Sequence, residues 1–130
     1  MLRYLSLDWL DALGEEVDRS DALREAAAGR QIRVTQVVTD GPEGDVTYHL
    51  EVDDGKVRFG PGAADDEQVR FVQDWATAVA VATGALNAQE AFISGRIKLI
   101  GDQQRLLDAV PVFAALDTVF SSVRERTDYA

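Results

Sequence analysis

Hydrophobic positions along the chain change period several times, and each change marks an element. Behind Ser6, the residues Trp9, Leu10, Leu13 and Val17 recur at the spacing of one helical face. Ser6 is placed to cap that helix, because its hydroxyl can accept a backbone N–H that the first turn leaves without a partner. Leu5 and Leu10 flank the cap as a hydrophobic staple. Ser20 offers a second cap, for a short helix through Asp21, Leu23 and Ala26 that Gly29 closes, so two helices or one bent helix come first.

From Gln31 the period falls to two. Ile32, Val34 and Val38 share one side of a strand, with Arg33, Thr35 and Thr39 on the other. A run of turn formers from Asp40 to Gly44 leads to a second strand, in which Val46, Tyr48, Leu50 and Val52 alternate with Thr47, His49, Glu51 and Asp53. Asp54-Gly55 is a hairpin signal, and Val57 and Phe59 alternate with Lys56 and Arg58 until Gly60-Pro61-Gly62. These three strands form a meander. Val69 and Phe71 around Arg70 give a fourth strand, which runs into Asp74 as the cap of an alanine-rich helix from Trp75 to Thr83.

Gly84 stops that helix, and Asn87 with Glu90 forms a capping box for a short apolar helix holding Phe92 and Ile93. Arg96 to Ile100 reads as a fifth strand. Gly101-Asp102 then turns into a helix with Leu106 and Leu107, and Val112, Phe113, Leu116, Val119, Phe120 and Val123 mark one stripe of a last helix. Helices gathered on one face of five strands predict an α+β fold, with the other sheet face left at least partly to water or a partner.

Composition narrows the functions. The chain has 130 residues, 46% of them hydrophobic and 28% charged, which suits one globular domain over residues 1–130. Its net charge of −10 opposes phosphate backbones and anionic lipid surfaces, so nucleic acid is excluded as a partner. It has no cysteine, hence no disulfide, thiolate nucleophile or Cys-type zinc site. No basic start with an apolar stretch behind it marks a secretory signal, and Trp75 to Leu86 is too short to span a bilayer. The expectation is a soluble cytoplasmic protein without stable membrane insertion.

Chemistry-bearing groups are sparse. His49 is the only histidine, and strand parity puts it among Thr47, Glu51 and Asp53 on the solvated side. The acidic pairs at Asp53-Asp54 and Asp65-Asp66-Glu67 fall in loops, and Gly60-Pro61-Gly62 lacks the residues that turn a glycine-rich loop into a phosphate cradle. No catalytic residue, metal site or cofactor is expected.

The stretch from Gly84 to Asp102 is the informative one. Gly84-Ala85-Leu86 precedes a short helix with Ala91-Phe92, and Gly95-Arg96-Ile97-Lys98-Leu99-Ile100-Gly101-Asp102 follows. This order resembles the sterol carrier protein family, the non-specific lipid-transfer proteins, whose members carry G-x-L, an Ala-bulky helix and G-K/R-hydrophobic-x-hydrophobic-x-G-D/N. The opening Ser6-Leu7-Asp8-Trp9-Leu10 and the meander are also similar to bacterial members. The resemblance implies a mixed five-stranded sheet with helices over one face, enclosing an apolar pocket or tunnel for a fatty acid, acyl-CoA or sterol-like ligand.

Candidate lining residues are Phe71 and Leu99 on strands, then Trp75, Val79, Ala82 and Leu86 on one face of the alanine-rich helix. Phe92 and Ile93 follow it, and Phe113, Leu116 and Phe120 belong to the last helix. A row of small residues, Ala76, Ala78, Ala80 and Ala82, leaves room for a ligand or for close packing. Two functions follow. One is a non-catalytic carrier that buries an apolar ligand; the other is an interaction or dimerisation module whose pocket is filled by side chains. Strand parity also puts Arg33, Lys56, Arg58, Arg70, Arg96 and Lys98 on the face away from the helices, a basic surface for an acidic partner, a second copy or the chain's own acidic loops.

Overall fold

The computed structural model describes residues 2–129, without the side chains of Ala88, Gln89 and Asp117. In chain order the elements are β1 (Leu2–Arg3), α1 (Leu7–Arg19), α2 (Asp21–Ala27), β2 (Gln31–Gly41), β3 (Gly44–Asp53), β4 (Lys56–Pro61) and β5 (Val69–Asp74). They continue with α3 (Trp75–Ala82), α4 (Ala88–Ile93), β6 (Lys98–Gly101), α5 (Gln103–Asp108), α6 (Val110–Arg124) and β7 (Thr127–Asp128). Side-chain caps set the helix starts as expected. The N–H groups of Trp9, Leu23 and Thr77 donate to Ser6 Oγ, Ser20 Oγ and Asp74 Oδ1 at 3.1, 3.2 and 2.8 Å. Ser20 both ends α1 and begins α2, so the opening is two helices at an angle.

The sheet has five strands in the order β4-β3-β2-β5-β6. Strands β2, β3 and β4 are the antiparallel meander, β5 joins β2 in parallel, and β6 adds antiparallel to β5, so the sheet is mixed. The parallel pair needs a crossover, which the loop 62–68 supplies, lying on the face away from the helices. Helix α1 packs over β4, α3 over β2 and β5, and α6 against α1 and α2, so one face is covered. Leu13, Leu23, Ile32, Val34, Val38, Leu116 and Val123 are sealed between these layers.

Three features depart from the strand and helix pattern. Thr35, outward by parity, is nevertheless 0% exposed: its hydroxyl accepts the Ala64 N–H at 3.0 Å and donates to Glu67 at 2.9 Å, under the crossover loop. Burial of a hydroxyl is tolerated because both its donor and its acceptor capacity are used. The fifth strand starts at Lys98 rather than Arg96, because Gly95 turns at φ +82 and the N–H groups of Arg96 and Ile97 both go back to the Ala91 carbonyl. Arg96 therefore leaves the sheet face and donates to Thr77 Oγ1 at 3.2 Å. The short strands β1 and β7 pair in parallel and bring the two ends of the chain together, which no periodicity of two residues can announce.

Candidate functional site

Between the covered sheet face and the helices lies a cavity of about 160 Å³. Its floor is Gln36 of β2, Tyr48 of β3 and Gln73 of β5, three inward positions on neighbouring strands. Trp9 of α1 closes one side, Ala78, Val81 and Ala82 of α3 another, and Phe120 with Arg124 of α6 a third. Tyr4 and Tyr129 complete the wall. They are held there by the paired ends of the chain, where the Tyr4 N–H donates to the Asp128 carbonyl at 3.0 Å.

Aromatic rings do most of the closing. Trp9 stands edge-on to Tyr4 at 5.0 Å and to Tyr48 at 5.9 Å between centroids, and stacks on Phe120 at 6.4 Å. These are favourable quadrupole arrangements, which hold the rings in place. The expected enclosed tunnel is not shown: among the described residues the rings leave a space about the size of an engineered cavity that takes one benzene. A larger recess of about 300 Å³ lies where α1 and α2 meet β4, but Asp18, Arg24, Lys56 and Arg58 form its rim and its apolar floor is already sealed core. It is a surface groove between charged side chains.

The cavity wall is not purely apolar. Gln73 Oε1 and Arg124 Nε are both buried, and neither has a hydrogen-bond partner among the described residues. Burial pushes the Tyr4 and Tyr48 phenols up, Tyr4 well above its ordinary value, so both stay neutral. Burial also raises Tyr129, against the opposing charge of Arg124.

Of the residues proposed from sequence, Ala82 and Phe120 line this cavity. Trp75 lies next to it, its ring 5.3 Å from that of Tyr4. Phe71 and Leu99 face each other across β5 and β6, and with Val79 and Phe113 they are half-buried against the core. Leu116 is fully in the core and Leu86 is half-buried. Phe92 and Ile93 are not brought in; they are 41% and 80% exposed, since α4 presents Ala91 inward instead. The polar lining residues escaped sequence reasoning, although a signal was available. Gln36 interrupts the Ile32, Val34, Val38 row and Gln73 extends the Val69, Phe71 row, both at inward parity, while Arg124 continues the stripe of Leu116 and Phe120.

Elsewhere the polar groups are structural. The His49 ring lies against Gly60, where no side chain could be accommodated without displacing it, and Nδ1 donates to the Gly62 carbonyl at 3.0 Å. Among the described residues no cluster of three His, Asp or Glu could hold a metal ion. On the open sheet face the basic residues are interleaved with acids. Glu51 lies opposite both Arg33 and Arg58, Asp53 lies opposite Lys56, and Glu67 takes two hydrogen bonds from Arg70 at 2.7 and 2.9 Å. No described helix is long and apolar enough to cross a membrane.

A mixed five-stranded sheet covered on one face by helices, with a cavity in the layer between them, defines a ligand-carrier type of α+β fold. The chain belongs to the SCP-2 sterol transfer family, whose model matches residues 10–114. A crystal structure of sterol carrier protein 2 superposes with a TM-score of 0.70 at 21% identity, over 94% of this chain and 98% of that one. A conserved hypothetical protein of Thermus thermophilus, a sterol carrier protein candidate, gives 0.71 at 21% identity over 98% and 92%. The same fold recurs inside the stereoselective inverting sec-alkylsulfatase of a Pseudomonas species, with a TM-score of 0.51 at 20% identity over 66% of this chain and 13% of that enzyme. No curated protein matches the sequence.

Proposed function

We propose that the protein is a cytoplasmic carrier that holds a fatty acid, acyl-CoA or sterol-like ligand by burying it between the sheet and helices α3 and α6, without performing a reaction. The observation that carries this reading is the aromatic-walled cavity in the helix–sheet layer of an SCP-2 sterol transfer fold, with alanines rather than larger side chains along α3. Burial of apolar surface supplies the affinity, at ~0.8 kcal/mol per methylene. A space of about 160 Å³ takes only part of a long chain, so the cavity widens on binding. The half-buried side chains at its margin, Phe71, Trp75, Val79, Leu86, Leu99 and Phe113, are the ones with room to move.

The same small volume favours one second reading, a non-catalytic interaction or dimerisation module whose pocket Trp9, Tyr48 and Phe120 already fill. The open sheet face, with its alternating Arg and Glu positions, would then be the contact surface. Titration with fluorescent fatty-acid, acyl-CoA and sterol probes separates the two, with native mass spectrometry of the purified protein for ligand carried through. Binding in the micromolar range is expected. Failure of every probe at tens of micromolar, together with salt-dependent self-association in sedimentation, would replace the carrier by the module.

A further inference from the structure

Two polar atoms in the cavity wall have no partner, and one of them belongs to a permanent cation. Arg124 sits in the last turn of α6, one turn beyond Phe120, and its Nε is buried against the cavity. A guanidinium does not deprotonate to escape burial, so its charge must be met by an acceptor or remain a cost to the fold. None of the side chains around the cavity is an aspartate or glutamate, although the chain has 23 acidic residues against 13 basic ones. The acids crowd the outside, and the cation at the cavity is left for something else.

Building on the carrier reading above, we propose that the buried end of the ligand is a carboxylate held by Arg124 and Gln73, so that the protein selects single-chain carboxylic acids over their neutral analogues. Gln73 points into the same cavity from β5 with its Oε1 unpartnered, and a half-turn of its amide presents Nε2–H there without a change of shape. Tyr4 and Tyr48, kept neutral by their surroundings, retain hydroxyl protons to donate. A carboxylate accepts from several donors at once, and charge-assisted bonds of this kind are the strong ones. Trp9, Val81 and Phe120 on the remaining wall suit the methylenes next to the head. A nucleotide-bearing thioester would have no free carboxylate to offer, and its several phosphates exceed a cavity of about 160 Å³.

Dodecanoate and methyl dodecanoate, compared by calorimetric titration at neutral pH, provide the test. The wild-type protein should bind the acid about tenfold more tightly than the ester, and Arg124→Met, which keeps an apolar stem, should abolish that preference while leaving ester affinity within about twofold. Carboxyl-labelled dodecanoate followed by carbon NMR gives a reading on the wild-type protein alone: its bound carboxyl should titrate below that of the free acid. Equal affinity of acid and ester for the wild type would mean that water satisfies the two atoms, overturning the inference while the carrier reading stands. A preference that survives in a folded Arg124→Met protein would place the carboxylate elsewhere and overturn it too. If neither compound binds the wild type, the carrier reading falls together with it.

Discussion

Replacing Ala82 by leucine puts three additional carbons into the space where the ligand is expected. Ala82 is the last residue of α3, half-buried, with its methyl on the cavity of about 160 Å³. Three carbons exclude about three ligand methylenes, which at ~0.8 kcal/mol each removes ~2.4 kcal/mol of binding, or about fiftyfold in Kd. Leucine is nearly as good a helix former as alanine and has a pre-existing space to enter, so folding stability should change by less than about 1 kcal/mol. Ala76→Leu, on the exposed side of the same helix, serves as the control and should leave affinity alone. Fluorescent fatty-acid titration reads the first quantity and urea unfolding the second. An affinity within about threefold of wild type, with an unchanged unfolding midpoint, would refute the placement of the ligand beside α3.

Other outcomes follow from the same packing. Leu116 is 1% exposed at the centre of α6, so Leu116→Ala should cost ~2–5 kcal/mol, seen as a lower urea midpoint with an unchanged slope. Gly101 holds φ +114 at the end of β6, where a Cβ would run into the Gln68 carbonyl oxygen, so Gly101→Ala should destabilise by more than about 1 kcal/mol in thermal unfolding. The two hydrogen bonds from Arg70 hold the Glu67 carboxyl below its ordinary value, so its contribution is complete above about pH 4.5 and is lost as the pH falls through the lowered folded value. Glu67→Gln should therefore lower stability at neutral pH and flatten the acid limb of the stability curve; an acid limb as steep as wild type would assign that limb to other carboxylates.

Capping, turns and strand alternation were legible in the sequence because each depends on residues within one or two turns of each other. Ser6, Ser20 and Asp74 cap their helices since the groups they satisfy lie three residues away, and Gly95 ends α4 because its own φ is positive. The family likeness was legible for a similar reason, as the stretch from Gly84 to Asp102 is a local succession of turns and short elements. Register followed from alternation, which is why the meander pairs Val52 with Ile32 and Val57 as inward neighbours.

The cavity is a different kind of object. Tyr4, Gln36, Tyr48, Gln73 and Arg124 come from five elements or segments spread over the whole chain, and only the docking of α3 and α6 onto the sheet makes them neighbours. Parity could say that Gln36 and Gln73 point inward, but not that the two strands carrying them pair in parallel, side by side. Nor could it say that Thr35 is covered, because the crossover loop that buries it is placed by that same parallel pairing. Local chemistry in the sequence decides which segments are helix or strand and which side of each is apolar; long-range packing decides which polar groups are sealed together without partners, and so where a ligand has something to bind.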